Sequence, residues 1–237
     1  MRIWDIDPGY LSRRHLKEEH RDLHALYEAL CGGQSAASPA ALGRWRGHLA
    51  ALGMRHQMVS AELRLIGHDP CARHIPSGPG QWPECRDGLY GQMEAQRACE
   101  RGGEGRISVP TGAHRLWAQH KYSVMARSQQ AYREIGRAVS ACGKGPPAPA
   151  LCLRLLSLLR APAPWPRSRD ALAHMWGYVS KLAEPQERAA LDADLRQRPR
   201  RVLDRVAELS SAHGVSYILE STALGELRCH LPEDGEA

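Results

Sequence analysis

The segment RHLKEEHRDL, Arg14 to Leu23, sets carboxylates, imidazoles and guanidinium groups at helical spacing. His15 and Asp22 are two turns apart and point the same way, with Glu18 between them and Arg14 and Arg21 beside them. A carboxylate framed by cations suits proton transfer or the stabilisation of developing positive charge. Spacing alone reads more simply as a solvated face laced with ion pairs, Arg21 pairing with Glu18. His20 and His24 stand one turn apart, a spacing able to grip a metal ion. No third ligand stands at a recognisable spacing, so no metal site is expected. His20 and His56 fall within apolar stripes, where interhelical packing is their expected role. Arg44, Arg46, His48 and Arg55 are basic residues of the next helical stretch, read either as a DNA-facing surface or as solubilising charge.

A second set of chemistry-bearing residues lies further on. Lys121, Arg133, Arg137, Arg160 and Lys181 supply cations, and Tyr122, Trp176 and Tyr178 supply flat rings. That mixture suits phosphates and unstacked bases. The plainer reading puts the rings in the core and the cations in solvent. His120 and His174 accompany them without an assigned role.

Three regions must position these residues. In the first, to about residue 68, Leu16, His20, Leu23, Tyr27 and Leu30 share one helical face, and Gly32-Gly33 stops that helix. A second pattern, Leu42, Trp45, Leu49, Leu52, His56, Val59, Leu63 and Ile66, predicts one helix of about six turns ending at Gly67. From about 69 to 113 the chain is broken by Pro and Gly, with a short helix expected over Leu89 to Arg101. The remainder predicts helices over His114–Ala141, Leu151–Arg160, Ser168–Leu182, Pro185–Arg198, Arg200–His213 and Ser216–Arg228. The expected fold is therefore all-α: two helical units, 1–75 and 114–230, joined by a Pro/Gly-rich connector, 76–113.

Composition agrees with helix and narrows the function. Ala, Leu, Arg, Glu and Gln are plentiful and Phe is absent. A net charge of +6 permits a polyanionic partner without requiring one. The seven Cys contain no C-x-x-C pair, which argues against a disulfide framework and a thiolate zinc site. No apolar run is long enough to span a bilayer, and the start MRIWDIDPGY lacks the apolar core of a signal peptide. A cytoplasmic location without membrane association is expected.

Arg2-Ile3, followed by His15-Leu16, Glu19, Arg21 and Leu23 without a gap, resembles the start of the pyrimidine dimer DNA glycosylases. The stretch Gly47–Asp69 resembles that family's long helix, so the resemblance covers roughly residues 1–75. It implies base excision: the α-amine of the first residue attacks C1′ of the damaged nucleotide and forms a Schiff base. A glutamate on the first helix assists glycosidic cleavage and the β-elimination that cuts the strand. The amine would be that of Met1, which the bulky Arg2 is expected to protect from removal. The acid would be Asp22, one methylene shorter than the family's glutamate. A further basic residue of the family falls on Ala25 here. An α-amine suits the task because its ordinary pKa of about 7.7–8.0 leaves a neutral, nucleophilic fraction near neutrality. Arg2, Arg21, His15, Arg46 and Arg55 would then contact DNA.

His120-Lys121-Tyr122, Tyr132-Arg133 with Gly136-Arg137, Leu159-Arg160-Ala161-Pro162, and His174 with Gly177-Tyr178 occur in order across about 100 residues. They resemble the YbgA-like bacterial domain of unknown function, which implies a helical domain but no established reaction. Lys121, Arg137 and Arg160 would bind nucleic acid there. His120, Tyr122, His174 and Tyr178 form a motif without a role.

The combined expectation is a DNA repair glycosylase with AP lyase activity on damaged duplex, using neither metal nor organic cofactor. The second unit would bind nucleic acid or a protein partner. Two alternatives stand beside it. One is a nucleic-acid-binding protein without catalysis. The other is an enzyme of modified nucleobases whose active part is the C-terminal unit.

Overall fold

Helix-forming composition is realised throughout the computed structural model, which describes residues 1–33, 36–85, 87–98, 103–142 and 145–235. The described residues form α1 (Arg13–Leu30), α2 (Pro39–Trp45), α3 (Leu49–Leu65), α4 (Gly88–Arg97), α5 (Ala113–Met125) and α6 (Gln129–Ser140). There follow α7 (Pro149–Leu159), α8 (Trp165–Val179), α9 (Pro185–Gln197), α10 (Pro199–Ala212), α11 (Ser216–Leu219) and α12 (Ala223–Glu226). No strand occurs among the described residues, and the fold is all-α. No helix among them is long and apolar enough to cross a membrane. The chain divides into two compact units, Met1–Val109 and Pro110–Ala237.

In the first unit α1 packs on α3. Ser12 caps α1 by accepting a hydrogen bond from the His15 amide at 3.2 Å. Leu16, Leu23 and Leu26 of α1 and Leu52 and Val59 of α3 are buried at the seam. The six-turn helix expected over Leu42–Ile66 is in fact two. Arg46 is extended at the end of α2, and Gly47 takes φ 85°, a left-handed value that a Cβ disfavours. The apolar spacing carries across this break, so periodicity alone could not reveal it.

The segment expected as a connector contributes to the core of the first unit. Leu89, Met93 and Ile107 are buried, as is Ile75 just before it. Its loops press close on the rest of the unit at two glycines. A Cβ on Gly53 would sit 2.0 Å from the Pro76 carbonyl oxygen, and one on Gly105 would sit 2.4 Å from that of Gly9. The Ile107 amide donates to the Gly9 carbonyl at 2.8 Å. Arg106 forks onto the buried Glu62 carboxylate at 2.7 and 2.8 Å. The expected end of the α4 helix, residues 99–101, lies outside the described residues.

The N-terminal arm, residues 1–7, has no repeating backbone pattern, yet it is fixed. Asp7 precedes Pro8 and is held extended, while its Oδ1 accepts from the Gly9 amide at 2.8 Å. Ile3, Trp4 and Ile6 are buried. Side chains from the helices satisfy the arm's backbone. Glu19 Oε1 accepts the Trp4 amide at 3.1 Å, and Gln92 Oε1 accepts the Asp5 amide at 2.8 Å. Arg44 donates to the Ile3 carbonyl at 3.1 Å and Arg55 to the Ile6 carbonyl at 2.7 Å.

In the second unit α5 packs on α6 and α8, and α8 packs on α10. The single helix expected over His114–Ala141 breaks after Met125, because Ser128 starts a new one by capping the Ala131 amide at 3.1 Å. Arg127 at that break donates to the carbonyls of Ser123, Leu159 and Ala161 and to the buried Glu226 carboxylate. The charges of Arg127 and His230 hold the Glu226 carboxyl below its ordinary range against the opposing effect of burial, the largest single influence on it. The last expected helix, Ser216–Arg228, resolves into α11, α12 and a final 3-10 turn at Leu227–Cys229.

Two adjacent glutamates on α1 separate buried from exposed pairing. Glu19→Gln leaves the buried Arg55 without its counter-charge and is expected to cost roughly 3–5 kcal/mol. Arg14→Ala removes the exposed Arg14–Glu18 pair and is expected to cost under about 1 kcal/mol. Urea denaturation of the full chain measures both.

Candidate functional site at the N-terminus

The arm and α1 together bring the first amine to an acid. Asp22 lies on the partly exposed side of α1, and its Oδ2 accepts the Arg2 amide at 3.1 Å. The Met1 nitrogen stands 3.9 Å from the same oxygen. The amine is therefore neither adrift in solvent nor enclosed in hydrocarbon.

What holds it there is the buried pair Glu19–Arg55. Arg55 donates through Nε to Glu19 Oε1 at 2.7 Å and through Nη2 to Oε2 at 2.9 Å. Burial works to raise the Glu19 carboxyl, against the charge and hydrogen bonds of Arg55 and the Trp4 amide. Arg55 cannot shed its proton, and its fork matches a carboxylate. Arg55 is only 2 % exposed, so it is not on a DNA-facing surface as expected from sequence. It is a cation inside the protein that fastens the arm. Arg44, read the same way, donates to both oxygens of Asp5 at 2.8 Å.

The remaining predicted residues of this unit distribute as follows. The Arg2 guanidinium lies over the Trp4 ring, 3.8 Å from its centroid, and 3.6 Å from Asp87 Oδ2. His15 flanks the same ring, with centroids 5.8 Å apart. Arg2 and the tilted His15 ring thus both pack against Trp4 beside the terminus. Met1, Arg2 and Arg44 also line a recess of about 200 Å³. Arg21 faces elsewhere: with Arg13, Arg14 and Lys17 it lines an open groove of about 900 Å³. Glu18 pairs with Arg14 at 2.8 Å rather than with Arg21. Arg46 is exposed at the end of α2. Sequence reading passed over Trp4 and Gln92, whose partners lie too far along the chain for spacing to reveal.

The imidazoles on the other side of α1 gather as well. His20, His24, His56 and Cys71 place one ligand atom each within 4.8 Å of one another. His56 comes from α3 and Cys71 from the loop after it, at separations that no sequence spacing marks.

Residues 1–73 match the pyrimidine dimer DNA glycosylase family. The match covers α1, the arm and α3, the elements that set Met1 against Asp22. Residues 121–224 match the family described as a protein of unknown function, DUF1722. No curated protein and no solved structure matches the chain.

In the second unit the motif residues separate. His120 is fully buried, and its Nδ1 lies 3.3 Å from Thr222 Oγ1. Tyr122 is buried too, and burial pushes its phenol up to about 12. Their neighbours are exposed: His174 and Tyr178 lie one turn apart on the outer face of α8. Tyr178 packs on Tyr217 at 4.7 Å between centroids, and the Lys121 ammonium lies 4.5 Å from the Tyr217 ring. Arg137, with Arg133, Trp117 and Tyr132, lines an open recess of about 660 Å³. Arg160 sits half-buried at the end of α7.

Burial pulls the His120 pKa down from 6.5 to about 4, helped by Arg127 and opposed by Glu226. The unfolded chain therefore binds the extra proton first as pH falls, so this contribution to stability is complete above about 6.5 and drains away towards 4. Urea midpoints of the full chain are expected to fall across that window, and His120→Gln to flatten the fall.

Proposed function

We propose that the first unit is a DNA N-glycosylase with AP lyase activity, in which the Met1 α-amine is the nucleophile and Asp22 the acid–base group. The observation that carries this reading is the 3.9 Å approach of the Met1 nitrogen to the Asp22 carboxylate, in a region that matches the glycosylase family. The substrate is a duplex carrying a damaged pyrimidine, with a nucleotide drawn out of the stack.

The neutral amine attacks C1′, and the glycosidic C–N bond breaks as the base leaves with its electron pair. Asp22 offsets the positive charge that develops on the sugar and takes the proton released from the amine. Opening of the sugar ring gives an imine between Met1 and C1′. Loss of a C2′ proton then expels the 3′ phosphate oxygen, which cuts the strand, and water frees the enzyme. Arg2, steadied on Trp4, and the cationic rim Arg13, Arg14, Lys17 and Arg21 are suited to phosphates on the two sides of α1. Arg46, exposed at the end of α2, adds a further cation. In the second unit the Trp117–Tyr132 rings with Arg133 and Arg137 fit a single strand or a splayed base.

Borohydride added to the protein on an abasic-site duplex is expected to trap a covalent adduct. Acetylation of the N-terminus should abolish it, and an adduct that survives acetylation rejects Met1 as nucleophile. Intact mass establishes that Met1 heads the chain used. Asp22→Asn is expected to slow strand cutting by at least ~10²-fold while leaving duplex affinity nearly unchanged. Cutting at the original rate removes Asp22 from the mechanism. Affinity should also drop steeply with salt, in proportion to the number of phosphates contacted.

A further inference from the structure

The cluster of His20, His24, His56 and Cys71 is poorly explained by hydrogen bonds. The His24 Nε2 atom lies 3.1 Å from His56 Nε2 and 3.3 Å from Cys71 Sγ. One ring nitrogen carries either a proton or a lone pair, so it cannot serve both partners well. Next to it His20 Nε2 is buried without a hydrogen-bond partner among the described residues. A buried polar atom left unsatisfied calls for an explanation. Three imidazoles with centroids 4.6–5.0 Å apart would also repel one another if protonated.

We propose that His20, His24, His56 and Cys71 bind a zinc ion in a closed tetrahedral site. Bond lengths of about 2.0–2.1 Å to nitrogen and about 2.3 Å to sulfur put tetrahedral ligands roughly 3.3–3.6 Å apart. The two short contacts at His24 fall close to that edge length. One ion accepts a lone pair from every ligand and so resolves the conflict at His24 and the orphaned His20 nitrogen together. Three imidazoles and one thiolate match the borderline softness of zinc and suit Mg²⁺ or Ca²⁺ poorly. Burial lowers the pKa of all three histidines, and that of His56 falls to about 4, so they stand in the neutral form that binds metal. Cys71 is half-buried, which gives the ion a way in.

Four protein ligands leave no open position, so the ion is structural rather than catalytic. It joins α1, α3 and the loop that follows α3. His20 and His24 lie two residues to either side of Asp22 and face away from it. The ion therefore fixes the rotation of α1 from behind the face that carries the acid. This inference does not rest on the proposed glycosylase reaction.

The test uses the full chain without an affinity tag. Elemental analysis of protein grown with zinc is expected to find about one zinc per chain. Chelation should lower Tm by at least about 5 °C, and Zn²⁺ but not Mg²⁺ should restore it. The Co²⁺-loaded protein should show the intense visible bands of a tetrahedral site and a sulfur-to-cobalt charge-transfer band, the latter lost in Cys71→Ser. Zinc-free protein whose Tm ignores both chelator and added Zn²⁺ overturns the proposal, and this needs no variant to fold. A Co²⁺ spectrum unchanged by Cys71→Ser overturns the four-ligand site.

Discussion

The placement of the first amine depends on one buried ion pair. Glu19 and Arg55 each lose their hydration inside the unit, and each offsets that loss by geometry: a two-pronged bond between them, plus one arm contact apiece. The arm has no helix or sheet of its own to satisfy its amides and carbonyls. It is ordered because α1 offers a carboxylate and α3 a guanidinium at the right height, with Arg44 and Gln92 completing the set. An apolar pair of the same volume could pack as well but could not set the register of the arm. The charge pair fixes which backbone atom sits where, and so which residue ends beside Asp22.

Much of this was legible from the residues. The 3.6-residue periodicity marked α1 from Leu16 to Leu30, and the glycine stops at Gly32 and Gly67 fall just beyond the ends of α1 and α3. The two merged helices were not legible. The breaks near Gly47 and Ser128 preserve the apolar phase, so only the backbone geometry or a capping side chain reveals them. The Pro/Gly-rich stretch read as a connector because its large aliphatic residues, Leu89, Met93 and Ile107 among them, are too sparse to show a period. These three are buried nonetheless.

The candidate site divides along the same line. Asp22 and the first residue could be named from sequence, because the resemblance carried them as neighbours. Arg55 looked like one more surface cation, since its partner stands 36 positions away. His20 and His24 advertised themselves as a pair, while His56 hid in an apolar stripe and Cys71 in a loop. In the second unit His120 and Tyr122 sit in the core while Tyr178 is exposed. A sequence motif there mixes residues that hold the fold with residues that meet solvent, and spacing cannot separate the two.

The arm is seated by side chains that grip its backbone from residue 2 to residue 6. Nothing in that grip needs the terminal nitrogen itself. A leader or purification handle fused ahead of Met1 would turn the amine into an amide and leave every one of these fastenings in place. Under the proposed mechanism such a fusion would keep its fold and lose its nucleophile. What precedes Met1 in the expressed protein would then decide whether the proposed strand cutting can be observed.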